Sequence, residues 1–350
     1  MIDHADRCVA VVGCGYWGKN LVRNFAGLRA LRWICDEDDS ALDAQKEVAP
    51  GVGRTQSFQE VLADDQVKGV VIATPAGLHF SQARQALEAG KDVFVEKPLA
   101  LRYAEGKELV DLARERKAVL MVGHILDYHP AVVLLKKVVH DGELGKVRYI
   151  YSTRLNLGKV RQVENILWSF APHDISIIIG LLDEAPSSVR AMGGNYLQKG
   201  IADVTLTTLE FPSGASAHTF VSWLHPYKEQ KLVVVGDQKM AVFDDTLPEG
   251  KLKVYDKGID WETGRPVTRQ VGETVLYHDR AEPLRLECAH FLECIRTRSS
   301  PVTDGEVGLR VLKVLEDSQT SLERNGTPIS SSEGGGATED PAGLPAGVGR

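Results

Sequence analysis

The sequence has little of what marks export, membrane insertion or nucleic-acid binding. No apolar run approaches the roughly 18 residues that span a bilayer, so no membrane partner is expected. The start, Met1-Ile-Asp-His-Ala-Asp-Arg7, has acids where a signal peptide needs a basic region and an apolar core. A cytoplasmic location is therefore expected. Lys and Arg total 41 against 48 Asp and Glu, a formal net charge of −7. The basic excess that displaces counterions from phosphate is missing, which argues against a nucleic-acid partner. Cysteine is sparse, with 5 in 350 residues and no CxxC spacing. Neither a disulfide framework nor a zinc site is indicated, and no His/Cys/Glu cluster has metal spacing. What remains is a globular composition, 43% hydrophobic and 25% charged. At roughly 150 residues per domain the length suggests two domains.

The first 123 residues alternate short apolar runs with amphipathic ones. Cys8–Val12, Leu31–Cys35, Gly69–Ala73, Asp92–Val95 and Ala118–Val122 are continuous Val/Ile/Leu-type runs, the mark of strands covered on both faces. Helical spacing fills Trp17–Ala26, Ser40–Val48, Phe58–Ala63, His79–Ala89 and Arg102–Arg116, with Ser40 and Ser57 as candidate caps. Strand alternating with helix predicts α/β architecture, a Rossmann-type parallel sheet over 1–123. After Gly123 the pattern becomes hairpin-like, with turns such as Pro212-Ser213-Gly214. This predicts an α+β domain over 124–329, a mostly antiparallel open-faced sheet with helices near Pro283–Arg296 and Gly305–Arg324. From 330 to 350 the chain is rich in Gly, Ser, Pro and Ala, and a flexible tail is expected.

Gly13-Cys14-Gly15-Tyr16-Trp17-Gly18 is GxGxxG between the first strand and the first helix. The first glycine permits the tight turn. The second lets backbone approach a pyrophosphate, and the third lets helix pack on strand. The helix N-terminus adds N–H donors, so Tyr16 and Trp17 also fall beside the ligand. Asp36 lies 18 residues after Gly18, at the end of the second strand. A carboxylate there accepts from a ribose 2′-OH and repels a 2′-phosphate, which predicts NAD rather than NADP. Glu37, Asp38 and Asp39 deepen the negative field; the bland alternative is a solvated acidic turn. Thr74, Pro75 and His79 begin at the next strand end, where ligands of such sheets bind. They are candidate cofactor contacts, or else an ordinary strand-to-helix turn.

Glu96-Lys97-Pro98 follows the strand Asp92–Val95. With the glycine loop and Thr74-Pro75-x-x-x-His79, this tripeptide resembles the Gfo/Idh/MocA oxidoreductases over about residues 7–329. The resemblance implies that Lys97 lies beside the nicotinamide and the reacting hydroxyl, with Glu96 holding Lys97 or meeting the nicotinamide side. An ammonium there stabilises a developing alkoxide. The alternative for Glu96 and Lys97 is a surface ion pair. Trp168-Ser169-Phe170-Ala171-Pro172-His173-Asp174 precedes an apolar helix predicted over Ile177–Leu182, and looks like the family's Asp-x-x-x-His segment. His173 then matches the general base or acid on a sugar hydroxyl. Ser169 stands where many relatives have Asp, so Ser169 or Asp174 is left to orient the imidazole. His124, at the domain junction, is either an active-site or cofactor neighbour or a packed junction histidine.

From Gly145 to Val163 there are five basic residues, Lys146, Arg148, Arg154, Lys159 and Arg161, and no acids. Arg154, Lys159 and Arg161 are candidate partners for an anionic sugar, alongside Ser169, His173 and Asp174. The alternative is a solvated sheet face. The segments Asn165–Asp174, Gly200–Asp203 and Ser222–Pro226 look like the branch that oxidises UDP-N-acetylglucosamine or its uronic acid at C3. The expected activity is thus NAD-dependent oxidation of a nucleotide-linked sugar by a homodimer or homotetramer formed through the second sheet. A free inositol or aldose dehydrogenase and a silent NAD-bound sugar sensor remain alternatives.

Overall fold

The computed structural model describes residues 7–158 and 160–331. Its first part is built from β1 (Val9–Val12), α1 (Gly18–Gly27), β2 (Leu31–Cys35), α2 (Asp39–Asp43), β3 (Gly53–Thr55), α3 (Phe58–Ala63) and β4 (Gly69–Ile72). It continues through α4 (His79–Glu88), β5 (Asp92–Glu96), α5 (Tyr103–Arg116) and β6 (Leu120–Gly123). The six strands form one parallel sheet in the order β3-β2-β1-β4-β5-β6. Strands β1, β4, β5 and β6 are buried along their whole length, as continuous apolar runs require. The strand order reverses beside β1, so the carboxyl ends of β1 and β4 flank a crevice.

The second part holds α6 (Pro130–His140), β7 (Val147–Leu157), α7 (Ile166–Leu182), β8 (Ser188–Gly194), β9 (Val204–Glu210), β10 (Ser216–Ser222) and β11 (Leu224–Gly236). Then come β12 (Met240–Asp244), β13 (Leu252–Glu262), β14 (Arg265–Leu276), α8 (Pro283–Thr297), α9 (Gly305–Glu323) and β15 (Ile329–Ser330). Its nine-stranded sheet is antiparallel except for the β7–β10 pair. One face packs on α6, α7 and α9 through Ile150, Ala217, Val221, Ile175, Ile178 and Leu315. The opposite face carries exposed side chains such as Tyr149, Met192 and Leu206. Among the described residues no helix is long and apolar enough to cross a membrane.

Several local readings change. Asp38, not Ser40, caps α2, which ends at Asp43 instead of running to Val48. The short edge strand β3, the outer part of β13 and all of β14 escaped the pattern; the alternating run Lys251–Tyr255 marks only the start of β13, beyond which the residues of the hairpin are half-exposed or exposed. Helix α7 starts at Ile166, capped by Asn165, so His173 lies inside it and not before it. Pro172 is also internal, and removes one ladder donor without ending the helix. Ser330 and Ser331, counted with the tail on composition, are held against β8: Ser331 N donates to Ser187 O at 2.9 Å. The rest of that tail, 332–350, lies outside the described residues.

Helix α8 packs back on the first sheet. Its Leu284, Cys288, Phe291 and Cys294 share a core with Val11, Phe25, Val71 and Phe94. Phe291 meets Phe25 and Phe94 edge-on, at centroid distances of 6.5 and 5.7 Å. Chain order and packing therefore differ for residues 283–297.

Candidate active site

The glycine loop has the geometry that its motif demands. Gly13 sits at φ +89°, and a Cβ there would fall 2.8 Å from Ala73 C. A Cβ on Gly18 would strike Gly13 O, whereas one on Gly15 would meet open space. The first and third glycines thus serve the backbone, and the second leaves room for a ligand. Asp36 grips this loop. Its Oδ2 accepts from Cys14 N at 2.6 Å and its Oδ1 from Asp38 N at 3.0 Å. Each carboxylate oxygen retains acceptor capacity for a ribose hydroxyl. These residues fit NAD: an open backbone cradle, a helix N-terminus and an acid at the strand end.

Tyr16 is exposed, and Trp17 turns inward to donate Nε1–H to Glu96 Oε1 at 2.6 Å. Glu96 therefore holds the glycine loop, with Lys97 adjacent in the chain. Its carboxyl lies over Gly123 on the neighbouring strand, where a Cβ would fall 2.8 Å from Oε2. Burial pushes the Glu96 carboxyl up to about 7. The surface ion-pair reading fails, because Glu96 is buried.

Lys97 donates from Nζ to Ser169 O of α7 at 2.9 Å. Burial lowers its ammonium, opposed by the nearby charge of Glu164. Pro172 has no N–H for the carbonyl of Trp168, one residue before the carbonyl that Lys97 takes. Ser169 thus enters through its backbone, and its side chain is not needed for this contact. His173 follows one turn later, with Nδ1 buried and without a partner. Burial holds its imidazole well below 6.5, reinforced by Lys97, Arg154 and His124. It is accordingly neutral near pH 7 and able to accept a proton.

Four predicted site residues are placed differently. His79 is buried, its Nδ1 2.7 Å from Pro98 O and its Nε2 2.9 Å from Thr74 O. It braces the cis Lys97–Pro98 segment and has no free edge for cofactor. Thr74 gives its hydroxyl to Gln82 at 2.6 Å. Arg154 and Asp174, expected on substrate, form a buried two-point pair at 2.8 and 3.0 Å. Partners on β7 and α7 satisfy each other there, and pairing is what makes two buried charges tolerable. Pro75 lies at the β4 end before the turn into α4. Arg161 is half-exposed and 3.4 Å from Glu164. Lys159 lies outside the described residues. His124 follows β6 and is fully buried, with both ring nitrogens unpartnered, and burial pushes it down to about 4.

The structure joins the two other segments that the sequence singled out. Trp223 Nε1 donates to Asp203 Oδ1 at 2.6 Å, and Asp203 Oδ2 accepts from Tyr196 and Leu197 amides. Ala202 O accepts from Ile166 N, so this knot steadies the start of α7. Sequence reasoning missed the Trp17–Glu96 bond, the role of Gly123 and a buried acid, Glu287 on α8. The last had a signal: Glu287 interrupts the apolar stripe Leu284, Cys288, Phe291.

Comparisons with known proteins agree with this geometry. Residues 7–124 match the model for "Oxidoreductase family, NAD-binding Rossmann fold", and residues 132–242 match "GFO/IDH/MocA C-terminal domain". The chain is 28% identical over 349 residues to scyllo-inositol 2-dehydrogenase (NAD(+)) of Bacillus subtilis, covering 94% of this chain and 97% of that one. It is 27% identical over 315 residues to UDP-N-acetylglucosamine 3-dehydrogenase of Acidithiobacillus ferrooxidans, covering 89% and 96%. A crystal structure of that enzyme aligns with TM-score 0.79 at 26% identity, over 91% of this chain and 97% of that one. Levoglucosan dehydrogenase in complex with NADH and L-sorbose shares the fold, at TM-score 0.79, 21% identity and coverage of 93% and 98%. The glycine cradle, the strand-end acid and the Lys97–α7 contact thus belong to a chain of the Gfo/Idh/MocA oxidoreductase family, with NAD as its cofactor.

Proposed function

We propose that this protein oxidises a secondary ring hydroxyl of a sugar, with C3 of a UDP-linked N-acetylated hexose or its uronic acid as the favoured position. The observation that carries the reading is the convergence of Lys97 and the His173 turn of α7 at the end of β5. The likeness to UDP-N-acetylglucosamine 3-dehydrogenase over nearly the whole chain supports the substrate class. Bound NAD supplies the acceptor for the hydride that leaves the carbinol carbon. His173, neutral at physiological pH, takes the hydroxyl proton. The Lys97 ammonium donates to the same oxygen and stabilises its developing charge. The α7 backbone holds Lys97 in place before substrate arrives, so orientation is prepared in advance.

A second reading, oxidation of a free cyclic polyol, is favoured by one structural fact. Arg154 is committed to Asp174, which removes a buried cation expected to receive an anionic group. The similar likeness to scyllo-inositol 2-dehydrogenase agrees. NADH absorbance at about 340 nm separates the two during incubation with UDP-N-acetylglucosamine, its uronic acid, scyllo-inositol and free aldoses. Turnover with the nucleotide sugars alone supports the first reading, and turnover with inositol alone replaces it. The exposed face of the second sheet is the surface proposed for a homodimer or homotetramer, which light scattering tests.

A further inference from the structure

Helix α8 runs antiparallel to β5, and two contacts set its register. At one end Arg298, just past α8, pairs with Asp92 at 2.6 Å where β5 begins. In the middle Phe291 packs on Phe94. One helical turn back from Phe291 is Glu287, a step of about 6 Å. Two residues on from Phe94, on the same strand face, is Glu96, a step of about 6.6 Å. Both steps lead toward the carboxyl edge of the sheet, so Glu287 is brought to Glu96.

Glu287 is fully buried, and neither of its carboxyl oxygens has a hydrogen-bond partner among the described residues. Glu96 by contrast accepts from Trp17 and neighbours Lys97 in the chain. We propose that Glu96 and Glu287 share a single proton behind the cofactor edge, and that Glu287 acts through Glu96 as a positioning residue for Trp17 and Lys97. This rests on the reading of Lys97 as the hydroxyl partner.

The physical argument is that two carboxyls in one apolar pocket do not both ionise. The negative charge settles on Glu96, which has an N–H donor and an ammonium nearby. The proton settles on Glu287, which has neither. Burial pushes Glu287 well above the usual carboxyl range, and the charges of Glu96 and Asp127 add to this. The other polar groups around it are accounted for. Asp127 is held by Lys136 and by the Ser176 hydroxyl at 2.6 Å. Tyr128 bonds Thr303, and its ring meets His290 at 5.5 Å. Cys288 is on α8 itself, and Arg23 of α1 pairs with Glu282 at the start of that helix. None of these brings a cation to Glu287. With one proton in place the pair carries one charge, matched to the Trp17 donor and Lys97. Loss of that proton puts a second charge behind the glycine loop and drives Glu96 away from Trp17.

Infrared spectroscopy and NADH titration of the full chain test this without any sugar substrate. The native protein at neutral pH is expected to show a carboxylic-acid carbonyl band that Glu287→Gln lacks. The native dissociation constant for NADH is expected to rise about tenfold from neutral to alkaline pH, and by no more than about twofold in Glu287→Gln. A merely structural glutamate would weaken NADH binding equally at every pH. A band that survives in Glu287→Gln, or parallel pH curves for the two proteins, overturns the proposal. Should Glu287→Gln fail to fold, Glu96→Gln carries the test: the Glu287 band must shift, and an unchanged band overturns the shared proton. Failure of the sugar reading leaves all these readouts intact, so the two are separable.

Discussion

Lys97 at the end of the first sheet meets Ser169 O in the second part of the chain at 2.9 Å. The bond uses a backbone carbonyl, so it does not depend on the side chain at position 169. Lys97→Met is expected to keep NADH binding and to lower kcat by about 10²–10⁴-fold, the loss that follows removal of a positioned charge at a reacting oxygen. Steady-state turnover and NADH fluorescence check this. Ser169→Ala is expected to change kcat little, because the carbonyl remains.

His173 makes a pH prediction with a definite sign. In the proposed reaction its neutral form is the base, and its protonation is held well below 6.5 by burial, Lys97, Arg154 and His124. Activity is therefore retained as pH falls through the ordinary histidine range, and is lost only below it. The acid limb of kcat/KM is expected below the ordinary histidine range. An acid limb at or above the ordinary histidine value would show that His173 is not the titrating base. His173→Ala is expected to abolish most turnover while leaving NADH affinity in place.

Asp36 accepts from Cys14 N, and the proposed cofactor reading gives it the ribose hydroxyl as a second partner. Asp36→Asn removes a charged acceptor from the loop and the repulsion toward a 2′-phosphate. NADH affinity is expected to fall about 10–100-fold, the range for a charged hydrogen bond. The NADPH-to-NADH affinity ratio is expected to rise. Calorimetric titration with both cofactors checks it, and an unchanged ratio would remove Asp36 from ribose recognition.

The cofactor half was legible because its signals are local. A buried apolar run, three glycines at fixed spacing and an acid at the next strand end all act within 36 residues. Helix α7 was misread because Pro172 is an ordinary stop signal, and its capping residue Asn165 lies before an aromatic run without clear periodicity. The roles of Arg154, Asp174 and His79 were not legible at all. Each depends on a partner across the fold: Arg154 on a residue 20 positions away on another element, and His79 on a carbonyl 19 positions away. A charged side chain in a sequence looks like a ligand contact until the residue that neutralises it is seen.

Arg154 and Asp174 make the last prediction, because burial and substrate binding give opposite outcomes. Both side chains are buried, and the pair is bidentate. Arg154→Met leaves the Asp174 carboxylate uncompensated in the core beneath α7. The expected cost is about 3–5 kcal/mol, read as a lower urea midpoint with unchanged slope. Arg154→Met combined with Asp174→Leu removes both charges and is expected to recover most of that loss, since an apolar pair of similar volume is tolerated there. An arginine that served an anionic sugar would behave in the reverse way. The single variant would stay stable and raise KM, and the double variant would not be rescued. Urea denaturation of the three proteins, with KM for whichever sugar is turned over, decides between the two.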